Sequence, residues 1–169
     1  MKSRIWIAKM PEYTTYPITN AERSWVLDVV RNWGADFIVT RGRKVYPAGL
    51  DGFYAATPSG DRIGLITCEM VGNQCEIITL DAFKKFCGVG TALLESVRRK
   101  AVDMKCMRLW LITTNDNLEA MRFYQRRGFT IAALHSGSIL KSREIKPSIP
   151  EIGLHGIPLR DEIEFEMYI

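Results

Sequence analysis

From residue 52 onward the apolar positions fall in short blocks, cut by turn residues, whose period changes in a definite order. Gly52-Phe53-Tyr54-Ala55-Ala56-Thr57 stops at Pro58-Ser59-Gly60-Asp61. Residues 62–71 stop at Gly72-Asn73, and residues 74–80 follow. Strand-like runs separated by brief polar turns predict an antiparallel meander of three strands. The period then lengthens to that of a helix. Over residues 89–104, Val89, Leu93, Val97 and Ala101 make one apolar stripe, while Arg98, Arg99 and Lys100 fall outside it. The apolar run 108–114 reads as a strand joined to its predecessor through that helix, which predicts a parallel pair. Asn115-Asp116-Asn117 opens a second helix over 118–127, Gly128 closes it, and 129–134 returns to strand.

The two ends of the chain are less regular. Residues 4–10 read as a short strand broken by Pro11. Thr19 or Asn20 is placed to cap a helix that runs to Asn32, with Trp25, Val26, Val29, Val30 and Trp33 on its apolar side and Gly34 as its stop. Residues 37–40 suggest a brief strand, and the basic stretch 41–47 an exposed loop. Prolines 147, 150 and 158 and glycines 137, 153 and 156 make 135–160 a loop with one short helix near 139–145. Residues 161–167 alternate polar and apolar, as a half-buried closing strand does. The sum is a mixed α/β (α+β) fold built on one sheet, antiparallel at first and parallel at its centre, in a single domain over residues 1–169.

Composition narrows the class only a little. A chain of 169 residues, 47% hydrophobic, suits one real core. The net charge of +4 is mild, and serves a polyanionic ligand, nucleic acid or plain solubility equally well. Cys68, Cys75, Cys87 and Cys106 show no Cys-x-x-Cys pair and no histidine at ligand spacing, so no metal site is expected and the thiols suit a reducing cytoplasm. The apolar run 5–8 ends at Lys9, too early for a signal peptide, and no run approaches the roughly 20 residues that span a bilayer.

The densest chemistry lies in Leu80-Asp81-Ala82-Phe83-Lys84-Lys85-Phe86-Cys87-Gly88-Val89-Gly90-Thr91. A strand ends, lysines follow, and Gly-x-Gly opens a helix whose N-terminal N–H groups and dipole favour an anion. Alone, the pattern fits an anion site or a plain helix start. A dinucleotide fingerprint is excluded because Leu93 stands where its third glycine belongs, and no Gly-Lys-Ser/Thr follows to make a P-loop. A helix and a strand later comes Asn117-Leu118-Glu119-Ala120-Met121-Arg122-Phe123-Tyr124, closed by Gly128-Phe129.

Together these two stretches resemble the GNAT superfamily of N-acetyltransferases. Its cofactor loop reads Gln/Arg-x-x-Gly-x-Gly/Ala, and its later helix Asn-x-x-Ala-x-x-Phe/Leu-Tyr. Lys85 replaces the commoner Gln or Arg, keeping the charge but losing planar bidentate bonding. The closing run 156–164 looks like a bacterial branch of mostly unassigned substrate. The resemblance implies a bent mixed sheet of about six to seven strands, with acetyl-CoA, and no metal, between splayed central parallel strands. It implies that Leu80 and Ala82 pair with the pantetheine arm and that Lys85, Phe86, Cys87, Gly88, Val89, Gly90 and Thr91 hold the pyrophosphate. Asn117 is expected on the cofactor arm, and Tyr124 near the thioester sulfur. The amine attacks directly, through a tetrahedral intermediate and without an acyl-enzyme.

A primary amine reaches the site protonated, with a pKa near 10.4, so a base is needed. Glu76 is the first candidate and Glu69 the second. The acceptor is expected to be a small-molecule or peptide amine, walled by the first helix, the strands near Phe53 and Glu69, and the loop before Asp161. Nucleic acid and membrane are not expected as partners, and a homodimer is compatible with the fold. The alternative function is a coenzyme A-binding regulatory module, which needs the loop but neither Glu76 nor Tyr124.

Overall fold

The computed structural model describes residues 12–84 and 87–169. The strand expected over 4–10 and the loop residues Lys85 and Phe86 lie outside the described residues. In chain order the elements are β1 (Thr14–Pro17), α1 (Arg23–Arg31), β2 (Ile38–Thr40), β3 (Arg43–Val45), β4 (Asp51–Ala56), β5 (Arg62–Val71) and β6 (Gln74–Ala82). Then come α2 (Val89–Asp103), β7 (Arg108–Thr114), α3 (Leu118–Gln125), β8 (Thr130–His135), α4 (Ser138–Ile145) and β9 (Glu162–Tyr168). Seven strands form one mixed sheet in the order β1-β4-β5-β6-β7-β9-β8, and β2 and β3 form a separate two-stranded ribbon.

Only β6 and β7 are parallel, because α2 carries the chain back across the sheet between them. The helix is fixed by its stripe: Val89, Leu93, Val97 and Ala101 are all at most 1% exposed. Burying side chains of this size contributes about 1.5–3 kcal/mol for each of the larger ones. Gly64 of β5 lets the helix sit close, since a Cβ there would lie 2.6 Å from a Val89 methyl and 3.0 Å from a Leu93 methyl. The core on this face also takes in Ile66, Cys68, Cys75, Ile77, Leu109, Leu111 and Phe165, with Tyr124 and Phe129 from the α3 region. On the other face, Val26 and Val30 of α1 close over Leu65.

The β6–β7 ladder is short. It runs from Gln74↔Arg108 to Ile77↔Leu111 and stops there, although β6 continues to Ala82 and β7 to Thr114. At the same place the β5–β6 register shifts, from Cys68↔Ile77 to Thr67↔Thr79, leaving Ile78 as an extra residue. A bulge bends its strand and sharpens the twist. The outcome is a fork at the sheet's centre whose two arms are the distal halves of β6 and β7.

Several sequence expectations change in detail. Neither Thr19 nor Asn20 caps α1, whose N-cap is Glu22 with no side-chain cap; the Thr19 hydroxyl accepts from the Ala21 N–H at 3.2 Å and Glu22 reaches back to the Thr19 N–H at 2.9 Å, closing a turn that leads into the helix. The regular helix begins only at Arg23, and Trp33 is 37% exposed rather than part of the apolar side. β1 is an edge strand with no alternating pattern to announce it. The stretch expected as an exposed loop holds β3, paired back on β2 through the register Thr40↔Arg43. The turn between them, Arg41-Gly42, has φ of +50° and +70°, as a two-residue hairpin of type I′ requires.

Candidate active site at the strand fork

Gly88 stands at the head of α2 with φ +77°, a backbone state that L side chains rarely adopt, and no side chain among the described residues caps this helix. The first intrahelical bond goes from the Ala92 N–H to the Gly88 carbonyl, so the N–H groups of Val89, Gly90 and Thr91 precede the helical ladder. These three donors, the helix dipole and Lys84 make a place for an anion. Tyr13 lies against the loop, its hydroxyl 3.1 Å from where a Gly88 side chain would begin. Gly90 also has a packing neighbour. A Cβ there would sit 3.3 Å from the Phe123 ring, a tight contact where α3 packs against the head of α2. Arg127 fastens the same junction: its guanidinium donates to the Thr91 hydroxyl and stacks 3.6 Å over the Phe123 ring.

Leu80 and Ala82 lie on the distal arm of β6, past the last bond to β7, and Cys87 is exposed beside the helix head. Asn117 caps α3 by accepting the Ala120 N–H at 3.1 Å, which commits its side-chain oxygen and leaves its amide nitrogen for another partner. Tyr124 is 6% exposed, with its ring edge-on to Phe123 and Phe129 and 6.5 Å from Phe165. Phe165 pairs with Leu111, the last β7 residue bonded to β6, so Tyr124 lies beneath the fork. Burial pushes its phenol well above the ordinary range, against a smaller opposing pull from Arg127.

Glu69 and Glu76 stand directly opposite each other on β5 and β6, on the face of the sheet away from α2. Arg43 of the ribbon reaches both, donating to each carboxylate at 2.6 Å. Glu76 is buried at 6% exposure and Glu69 is half-buried. Burial raises the Glu76 pKa, and this outweighs the downward pull of Arg43. Glu76 lies one residue before Ile77, where the ladder ends. A cleft of about 450 Å³ opens there, lined by Thr40, Arg41, Arg43, Glu69, Glu76 and Trp110 among others. Phe53, expected as an acceptor wall, pairs with Ile66 and packs toward α2 instead. A larger hollow of about 630 Å³ lies over β1, β4 and β5, where Arg62 stacks on Trp25 and Tyr54, away from the fork.

The residues that sequence reading passed over come from β9 and the ribbon. Glu162 is 2% exposed, and both its oxygens accept the Arg41 N–H, at 3.0 and 3.1 Å. Glu164 is 8% exposed and meets Arg108 at 2.5 Å and His135 at 3.0 Å. Burial works to raise its pKa, but those hydrogen bonds hold it below the usual carboxylate range. The alternating glutamates of 162–166 were visible as a polar strand face; that the face is covered depends on the ribbon, which no periodicity announced.

The descending order of strand, glycine-headed helix, strand and Asn-capped helix matches the Acetyltransferase (GNAT) family over residues 16–129. The uncharacterized protein YdhI of Bacillus subtilis is 49% identical over 120 residues, which cover 71% of this chain and 75% of that protein. A GNAT family acetyltransferase from Elizabethkingia anophelis, solved with acetyl-CoA bound, superposes with a TM-score of 0.67 at 20% identity, covering 94% of this chain and 99% of that one. A Bacillus subtilis acetyltransferase in complex with CoA gives 0.64 at 17% identity, covering 94% and 98%. With the family model matched over residues 16–129, the chain belongs to the GNAT acetyltransferases.

Proposed function

We propose that the chain, acting as one domain over residues 1–169, transfers an acetyl group from acetyl-CoA to a primary amine by direct attack. One observation carries the reading: the sheet parts at Ile77 and Leu111, with the anion-suited head of α2 and Tyr124 on one face and buried Glu76 on the other. The donors at Val89, Gly90 and Thr91 suit a pyrophosphate, and the unpaired distal edge of β6 at Leu80 and Ala82 suits an amide-bearing arm laid down as an added strand. Asn117 offers its amide nitrogen to the same arm. Acetyl-CoA supplies the activated acyl group; Glu76, directly or through a water, takes the proton from the acceptor nitrogen, and Tyr124 donates a hydrogen bond where the sulfur departs. Glu69 shares Arg43 with Glu76 and tunes its charge.

The Arg43 clamp favours a second reading, a coenzyme A-binding module without turnover, because the base is already ion-paired. The pair is open on one side, however: the Arg43 side chain is 46% exposed, so solvent weakens its hold.

Placement of the cofactor is testable without knowing the acceptor. Cys87 is exposed while Cys68, Cys75 and Cys106 are buried, so brief iodoacetamide treatment should label Cys87 first. Acetyl-CoA at about ten times its Kd should slow that label by roughly tenfold. Peptide mapping reads both effects, and a Cys87 that labels equally fast with cofactor bound would place the pyrophosphate elsewhere. The same map after turnover should show no acetyl group on Cys87, as direct transfer demands.

A further inference from the structure

Register puts five glutamates on one face of the sheet. Glu69 faces Glu76, Glu76 pairs with Trp110, Trp110 pairs with Glu166, and Glu164 and Glu162 follow on alternate residues of β9. Three of them, Glu76, Glu162 and Glu164, are at most 8% exposed. Among the described residues, the one guanidinium that the strands of this face contribute to the cluster is Arg108, bonded to Glu164 and Glu166. Arg41 and Arg43 are brought by the β2–β3 ribbon, at 3.5 Å from Glu164 and 2.6 Å from Glu69 and Glu76. Among the described residues five carboxylates thus face three guanidinium groups, so carboxylates outnumber guanidiniums and share them; Glu162 has only the Arg41 N–H as a partner, and His135 neighbours Glu164. A buried carboxylate without a counter-charge costs several kcal/mol, so this face suits further positive charge.

Two further features point to a ligand. Thr40 lines the cleft and is 8% exposed, yet its hydroxyl has no hydrogen-bond partner among the described residues. A buried hydroxyl left unsatisfied in the protein alone suits a polar group arriving from outside. The ribbon is also not part of the main sheet's ladder. Its tip is held by the buried Glu162 carboxylate on the Arg41 N–H, with Arg41 itself at positive φ.

We propose that the acceptor is an amine carrying a second cationic group, held on this glutamate face beneath the ribbon, with Arg41 and Arg43 as the internal cations it displaces or supplements. The proposal deepens the acetyltransferase reading and rests on it. The reacting nitrogen takes the place beside Glu76 at the fork, and the second cation lies toward Glu162 and Glu164, next to Thr40 and Trp110. Only an acceptor with charge at both ends uses the face fully; a carboxylate at the far end meets Glu164 at close quarters and is repelled.

A matched series tests this: 1,4-diaminobutane, butylamine and 4-aminobutyrate, which differ only in the distal group. Two quantities are read, free coenzyme A release under acetyl-CoA turnover, and calorimetric binding of each amine to the protein saturated with coenzyme A. The diamine should exceed butylamine by about tenfold or more in kcat/KM and in affinity, about 1.4 kcal/mol, with 4-aminobutyrate last and the advantage shrinking in added salt. Glu164→Gln should narrow the gap and Arg41→Ala should widen it, with folding checked by thermal melting. A dilysine peptide amide run beside the diamine separates a basic peptide from a free small molecule as the source of the same charges. Turnover of butylamine with no preference for the diamine overturns the proposal and leaves the acetyltransferase reading intact. Diamine binding without turnover leaves a dication site on this face but overturns the transferase reading, and with it the diamine's role as acceptor. Neither binding nor turnover of the diamine overturns it.

Discussion

Replacing Tyr124 with phenylalanine will lower kcat by about 100-fold while acetyl-CoA affinity stays within about twofold. The substitution keeps the ring, and the ring makes the packing contacts with Phe123, Phe129 and Phe165, so the fold should tolerate it. What is lost is one hydroxyl beneath the fork. Its chemical part follows from the direction of its pKa. Phenols ordinarily titrate near 10 and thiols near 8.5, so handing a proton to the departing sulfur is uphill even in water. Burial raises the Tyr124 phenol further. In the proposed mechanism it would therefore act as a hydrogen-bond donor to developing negative charge rather than as an acid that gives its proton away. A hundredfold loss corresponds to about 2.7 kcal/mol of transition-state stabilisation. The variant's pH profile should keep its shape, because no limb belongs to this tyrosine. Steady-state kinetics beside calorimetric titration of acetyl-CoA checks both halves; a kcat within about twofold of the parent would make Tyr124 packing alone.

The second large effect concerns Glu76. Glu76→Gln should reduce kcat/KM for the amine by about 10²–10³-fold and abolish the acid limb of the pH–rate profile. A base works in its deprotonated form. Burial holds the Glu76 carboxyl above its ordinary value, so activity is full above that raised pKa and falls as pH drops through it. Arg43 pulls in the opposite direction, by charge and by its 2.6 Å hydrogen bond. Arg43→Ala must then let the pKa climb, moving the acid limb to higher pH. A purely structural Arg43 would lower activity at every pH without moving the limb. An unmoved limb in Arg43→Ala, or an acid limb surviving in Glu76→Gln, would take the role of base away from this carboxylate.

The parts of the fold that could be read from the chain are those where one periodicity dominates. The stripe Val89-Leu93-Val97-Ala101 placed α2 to within a residue of its end, and the crossover it makes fixed β6 and β7 as parallel. Gly88 and Asn117 were legible because each does a job that few residues can do: one takes positive φ at a helix head, the other caps a helix. The contact of Gly90 with Phe123, more than thirty residues away in sequence, was not legible. The ribbon's second strand escaped notice because Arg43-Lys44-Val45 has too few apolar residues to look like a strand, although residues 37–40 read as the first. Its arginines are drawn down by carboxylates from β5, β6 and β9, pairings across up to 123 residues that no local pattern encodes. The burial of Glu162 and Glu164 was hidden in the same way. On a strand, a polar alternate residue looks solvated until something covers it.

The most direct test is the release of coenzyme A thiol from acetyl-CoA with and without an amine, followed by mass spectrometry of the amine. The thiol should appear at a rate that depends on amine concentration, in equal amount to an acetamide formed on the acceptor nitrogen, and slowly or not at all when amine is absent. Tight binding of coenzyme A with no amine-dependent thiol release, across diamines, simple amines and lysyl peptides alike, would contradict the account and leave a module that holds the cofactor without spending it.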